Sequence, residues 1–164
     1  MILFEDLKKI VILGYLTDEM IAKLMPVIRL SSFSAREFIF SELDPADNFF
    51  MVKRGKVLLE QRVSDKITVS LGAVKPGFSF GWSTMLGGEH YTSDAVCAED
   101  CEVFTIKGQK FVAVLDQDPH MGYLVMQRLL HVVKKRLDLR TEQFLRVLKH
   151  HPDLLPLIES SAVN

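Results

Sequence analysis

The sequence predicts a mainly β domain, a sandwich or barrel, with helices at both ends and a long helix at the C-terminal one. Three observations predict it. From about Val27 to Ile106, short apolar runs alternate with turn signals every eight to twelve residues, the rhythm of a closed antiparallel β architecture. On either side, apolar residues recur at three- and four-residue steps, the period of a helix with one buried face. The 164 residues, 48% hydrophobic and 25% charged, have the size and composition of one ordinary domain that needs no disulfide staples.

The elements follow in order. Phe4, Leu7, Ile10 and Val11 recur at helical spacing, and Gly14 interrupts them. Thr17 is a good N-cap for a second helix, with Asp18 and Glu19 at the positive end of its dipole. Met20, Ile21, Leu24 and Met25 form its apolar stripe, and Pro26 closes it. Helices are thus expected over 3–26 and a β-roll over 27–106. Within the roll, Ile28–Leu30, Glu37–Phe40, Phe49–Val52, Val57–Glu60 and Ile67–Leu71 read as strands, the last alternating cleanly. Asp44 to Asp47, Lys53 to Lys56 and Lys75 to Gly77 read as turns. Helices resume over 108–140. Phe111, Val112, Val114 and Leu115 fit a short helix, Asp116 to His120 breaks it, and Pro119 suits the first turn of the next. That helix runs from about His120 to Lys149, and Pro152 ends it. Residues 141–164 are expected to be a helical tail beyond the domain proper at 1–140.

Composition excludes several classes of function. A net charge of −1 gives the chain no electrostatic reason to seek nucleic acid or an anionic membrane. No stretch reaches the ~18 uninterrupted apolar residues of a membrane span. Glu5 and Asp6 stand where a signal peptide carries positive charge, so a cytoplasmic location is expected. The two cysteines, Cys97 and Cys101, are too few for a disulfide framework and read as small buried hydrophobes. None of the five histidines forms a His-x-His pair on a predicted strand, and His150 and His151 face different sides of a helix. No metal site is expected. No Ser-His-Asp order, glycine-rich nucleotide loop or paired carboxylates stand out, so no catalytic residue is assigned and the protein is read as non-enzymatic.

The stretch from Pro76 to Val96 carries the most chemistry. A single helical turn is expected at Trp82 to Leu86, after Gly81, and the free N–H groups of such a turn suit an anion. Two N-terminal helices, an eight-strand roll, Pro76-Gly77, Phe80-Gly81 and a long terminal helix occur in an order that resembles the cyclic-nucleotide-binding domains. Those are the sensor domains of catabolite-activator regulators, kinase regulatory subunits and gated channels. The resemblance covers roughly residues 5–140 and includes the tight turn at Gly55 and the stretch Ala98 to Val103. It implies a double-stranded β-helix, or jelly roll, standing alone without a helix-turn-helix domain. In the family, Phe-Gly is followed by a glutamate that grips the ribose and, further on, by an arginine that pairs with the cyclic phosphate. Here Phe80 and Gly81 match, Trp82 holds the glutamate position, and Tyr91 holds the arginine position. The resemblance therefore implies a ligand site at Phe80, Gly81, Trp82, Ser83, Thr84, Tyr91, Thr92 and Ser93. A neutral tyrosine in place of arginine, together with the lost ribose acceptor, lowers the expected affinity for cyclic AMP by roughly 10²- to 10³-fold. His90 and the hydroxyl cluster leave a different small-molecule ligand as one alternative, and a site plugged by Trp82 as the other.

In the long helix, Met126, Leu130, Val133 and Leu137, continued by Arg140, Phe144 and Val147, recur at alternating four- and three-residue steps. This heptad spacing predicts a homodimer seam. Lys134, Lys135, Arg136, Arg140, Arg146 and Lys149 also gather here, but Asp138 and Glu142 interrupt them. Only 15 residues follow Lys149, too few for a two-helix DNA reader, so no direct reading of nucleic acid is expected. The sequence thus reads as a regulatory or sensor domain with no cofactor beyond a cyclic nucleotide or other small ligand. The alternatives are a ligand-free scaffold acting through homodimerisation or a protein partner, and a genuine cyclic nucleotide sensor with a non-standard cassette.

Overall fold

The computed structural model describes residues 4–87 and 89–153. The chain divides into two compact units, Met1–Arg128 and Leu129–Asn164.

The first unit opens with short helical pieces. These are α1 (Phe4–Lys8), a 3₁₀ turn at Val11–Leu13, α2 (Asp18–Leu24) and a 3₁₀ turn at Met25–Val27. Thr17 caps α2 as expected, accepting a hydrogen bond from the Met20 N–H at 3.3 Å. The first helix is shorter than its periodicity predicts. Ile10 is extended, and the Val11 N–H donates to the Gly77 carbonyl at 2.8 Å instead of to a helical carbonyl. A tertiary bond has displaced a local one. Leu7, Ile10, Ile12, Leu13, Ile21 and Leu24 are almost fully buried.

Eight strands follow: β1 (Ile28–Phe33), β2 (Phe38–Phe40), β3 (Asn48–Arg54), β4 (Val57–Ser64), β5 (Ile67–Val74), β6 (Ser79–Phe80), β7 (Asp94–Cys97) and β8 (Cys101–Lys107). They form two antiparallel four-stranded sheets, ordered β1-β8-β3-β6 and β2-β7-β4-β5. Successive strands alternate between the two sheets except at the β4–β5 hairpin, and this makes the jelly roll. Four successive β3 residues, Phe49 to Val52, are buried on both faces of their sheet. Phe50 and Val52 join the core within the roll, while Phe49 packs on Phe111 of α3, ring centroids 5.3 Å apart. β5 departs from expectation. Its alternation predicts one buried face, yet Ile67 and Val69 are exposed. Among the described residues β5 is an edge strand paired to β4, and its Ile67 end of the hairpin lies open.

After β8 come α3 (Gly108–Gln117) and α4 (Pro119–Lys149). The break between them is one residue, narrower than the expected span from Asp116 to His120. Asp118 makes it. One carboxylate oxygen accepts from the Met121 N–H at 3.1 Å and the other from Lys23 Nζ at 2.7 Å. These contacts hold the Asp118 carboxyl below its ordinary range, the Lys23 bond most of all. Pro119, lacking an N–H, loses nothing at the first helical position. The second unit continues α4 from Leu129, with Lys134 paired to Asp138 at 2.6 Å, one turn on. Of the expected tail over 141–164, residues 141–149 continue α4, and 154–164 lie outside the described residues.

Gly55 turns β3 into β4 with φ +89°, and a Cβ there would stand 2.6 Å from both the Asp100 carbonyl oxygen and Cys101 Sγ. Gly55→Ala is expected to cost about 2–4 kcal/mol, from left-handed strain and overpacking together. Gly14 is right-handed with its nearest contact at 3.4 Å, so Gly14→Ala is expected to stay within about 1 kcal/mol of the native protein. Urea unfolding of the two variants checks this, and equal losses contradict it.

Candidate functional site

The connection from β6 to β7 is built from both sheets. Phe80 is fully buried, stacked on Phe50 at 5.1 Å and tilted against Phe40 at 5.9 Å. Gly81 then reverses the chain at φ +78°, where a Cβ would lie 3.0 Å from the Asn48 carbonyl oxygen. The reversal opens a 3₁₀ turn at Trp82–Met85, where one helical turn is expected. Trp82 and Ser83 are half-buried, and Thr84 is 8% exposed. Thr84 packs directly on Gly108, the first residue of α3. A Cβ on Gly108 would collide with the Thr84 hydroxyl and come within 2.6 Å of its carbonyl oxygen.

The return limb is zipped to the loop before β3. The Ala46 N–H donates to the Glu89 carbonyl, the Tyr91 N–H to Asp44, and the Leu43 N–H to Tyr91, at 3.0, 3.0 and 2.9 Å. These bonds turn Tyr91 into the roll. It is 4% exposed, and its ring stacks on Phe40 with centroids 3.7 Å apart and planes 11° from parallel. Its hydroxyl donates to the Asn48 carbonyl at 2.8 Å and accepts from the Asn48 N–H at 3.0 Å. Both of its hydrogen-bonding roles are thereby used. Burial pushes the phenol above its ordinary pKa, opposed in part by the Asn48 bond and assisted by Asp47 and Asp44.

The hydroxyls grouped by sequence are dispersed by the fold. Thr84 faces α3, Tyr91 enters the core, Ser93 is buried, and Thr92 and His90 are exposed. Beyond the turn, Asp94 accepts from the Glu42 N–H at 2.7 Å, and Gln61 donates to the Glu42 carboxylate at 3.1 Å. A cleft of about 400 Å³ runs outside the turn, lined by Ala46, Asp47, Thr84, His90, Lys107 and Gln109 among others. Sequence reasoning missed Asn48, Phe40 and Gly108. No residue-type signal could have found Asn48, which acts through its backbone alone.

The sequence profile described as the cyclic nucleotide-binding domain matches residues 30–118, more than half of the chain. The chain belongs to the cyclic nucleotide-binding domain family. The match runs from β1 through the 3₁₀ turn to the Asp118 break, so it includes every element of this site. A crystal structure of a putative cyclic nucleotide-binding protein from Geobacter metallireducens is similar at 29% identity and TM-score 0.72, over 84% of this chain and 99% of that one. A cyclic nucleotide-binding domain from Methylobacillus flagellatus superposes at TM-score 0.78 with 20% identity, over 87% of this chain and 83% of that one. The catabolite activator protein of Thermus thermophilus gives TM-score 0.69 with 22% identity, over 84% of this chain and 62% of that one. No curated protein sequence matches. By family, this is a domain of the sensing and regulatory type. Among the described residues, no helix of this cyclic nucleotide-binding domain is long and apolar enough to cross a membrane.

The residues assigned to a dimer seam are open to solvent. Met126 of the first unit is exposed, and in the second unit Leu130 and Leu137 are 69% and 63% exposed, with Val133, Phe144 and Val147 exposed beside them.

Tyr91→Phe leaves the Asn48 N–H and carbonyl without their shared partner inside the roll and is expected to cost about 1–3 kcal/mol. Tyr91→Arg is expected to cost more, because it buries a guanidinium against Phe40. A raised folded pKa means the unfolded chain releases the Tyr91 proton first. Stability is therefore fully present below the ordinary tyrosine value near 10 and falls as pH rises past it. Unfolding measured across alkaline pH in both native protein and Tyr91→Phe checks this. A variant as stable as the native protein, with the same alkaline slope, contradicts it.

Proposed function

We propose that this is a non-enzymatic regulatory domain that keeps the family's switch framework but has lost most of the affinity for cyclic nucleotide. The observation that carries the reading is Tyr91. At the position where the family places a phosphate-pairing arginine stands a neutral side chain whose ring is in the core and whose hydroxyl is committed to Asn48. The glutamate position holds Trp82, which offers no carboxylate to a ribose. A cyclic phosphate here meets the N–H groups of a 3₁₀ turn and no cation from the cassette. Charge-assisted contacts exceed neutral ones by about twofold in strength, so the loss falls on the anionic part of the ligand.

The switch framework supports the regulatory half of the reading. Thr84 of the turn and Gly108 of α3 have no space between them, so displacement of the turn must displace the start of α3. A ligand seated at Gly81 to Ser93 would then report to the helices beyond residue 107 through steric contact. Any such ligand shifts the domain only by its difference in affinity for the two positions.

The exposed apolar stripe on α4 favours a second role that coexists with the first. Leu130, Val133, Leu137, Phe144 and Val147 repeat at heptad spacing, and pairing two copies in a cytoplasmic homodimer would cover them. The charge interruptions at Asp138 and Glu142 argue against a nucleic-acid face, and the partner is a second copy of this chain.

Two measurements test these readings. Calorimetric titration with cyclic AMP and cyclic GMP is expected to give dissociation constants roughly 10²- to 10³-fold weaker than an arginine-bearing site would show. Tight micromolar binding by the native protein overturns the argument and makes this a working sensor with an unusual grip. For the seam, light scattering is expected to show a dimer that Leu130→Lys with Leu137→Lys converts to monomer. A native monomer, or a variant that stays dimeric, contradicts the seam.

A further inference from the structure

The cleft outside the cassette turn is lined by Thr84 of the expected ligand site but by neither Trp82 nor Tyr91, and donors from the turn and from the start of α3 meet there. The N-cap of α3 is Lys107, which makes no side-chain capping bond and, as an ammonium, has no lone pair to offer an N–H. The Gly108 N–H donates to the Asp47 carbonyl at 2.9 Å. Helix geometry leaves the N–H groups of Gln109 and Lys110, in the first turn of α3, without an intrahelical acceptor. An independent observation points the same way. Thr84 is only 8% exposed and lines the same cleft, yet its hydroxyl has no hydrogen-bond partner among the described residues. The hydroxyl is open to the cleft, where it can donate to a ligand oxygen.

We propose that this cleft is a second ligand site, for a protonated phosphate group. Two helix N–H groups, the Thr84 hydroxyl and the Lys107 ammonium supply donors to oxyanion oxygens. The cleft is also lined by Asp47 and Glu89. These carboxylates oppose a fully ionised anion but accept a hydrogen bond from one that carries a proton. Inorganic phosphate and phosphate monoesters meet both demands, whereas sulfate has no proton to give near neutrality. The volume of about 400 Å³ admits a phosphate with a small organic substituent. Because Thr84 belongs to the cassette turn and Gln109 to α3, a bound phosphate bridges the two parts and holds them in their present contact. The site therefore acts as a brake on the turn, whatever the cassette itself binds.

The test is an amide NMR titration of the full chain at constant ionic strength, with inorganic phosphate, glycerol phosphate and sulfate as separate arms. Phosphate is expected to shift the Thr84, Gln109 and Lys110 amides saturably. Thr84→Val and Lys107→Glu are each expected to weaken that response about 5- to 10-fold. Lys107 is exposed, so Lys107→Glu keeps the test valid if Thr84→Val fails to fold. A stronger response to glycerol phosphate assigns the site to monoesters, and a stronger response to inorganic phosphate assigns it to the free ion. Shifts that grow linearly without saturating, that are equal for sulfate, or that survive Lys107→Glu unchanged overturn the proposal.

Discussion

Tyr91 is the point at which the roll is closed. Its chain neighbours bond to residues 43–46, its ring lies flat on Phe40, and its hydroxyl spans both backbone groups of Asn48. Asn48 begins β3, the strand that pairs with both β6 and β8. One side chain thus ties the cassette to a central strand of the opposite sheet. Around it, Phe40, Phe50 and Phe80 fill the interior with tilted and stacked rings, contacts each worth about 0.5–1.5 kcal/mol beyond their burial. The same reversal at Gly81 that places Phe80 inward also puts the Asn48 carbonyl within reach of the turn. Removing the clamp would loosen the core and the cassette together.

That arrangement sets what the domain can do. A residue that fills the core cannot also extend a charged group to a ligand. With Tyr91 facing inward, the family's phosphate position offers no cation from the cassette, and polar groups line the outer side of the turn. There Thr84 abuts Gly108, and Lys107 leads into an uncapped helix. The proposed regulatory role depends on that contact, because it is the shortest mechanical path from the cassette to α3 and α4.

Much of the fold was legible in the sequence because local chemistry and tertiary structure agree. Thr17 caps a helix in isolation and in the fold, Gly55 serves a turn that only glycine can make, and Pro119 starts α4 where its missing N–H costs nothing. The strand rhythm survives because the strands other than β5 keep buried or half-buried residues along most of their length. What the sequence concealed was decided over long range. The Val11 N–H bonds to Gly77, distant in sequence but adjacent in space, and no periodicity reports that. Ile67 and Val69 alternate like a buried strand but lie on an edge. The hydroxyls near Trp82 look like one cluster in one dimension, and the 3₁₀ turn and the return limb before β7 send them to different sides. Position alone identified Tyr91, and only its inward direction showed that it is committed to Asn48.

The central claim is that the clamp from Tyr91 to Asn48 is a fixed part of the core. Amide hydrogen exchange at Asn48 tests it most directly, since that N–H donates to the Tyr91 hydroxyl at 3.0 Å. The account predicts slow exchange in the native protein, near the global unfolding limit. It also predicts a large loss of protection at Asn48 in Tyr91→Phe, with protection at Val103 and Phe104 of β8 falling only as much as global stability does. Fast exchange at Asn48 in the native protein, or protection unchanged in the variant, contradicts it.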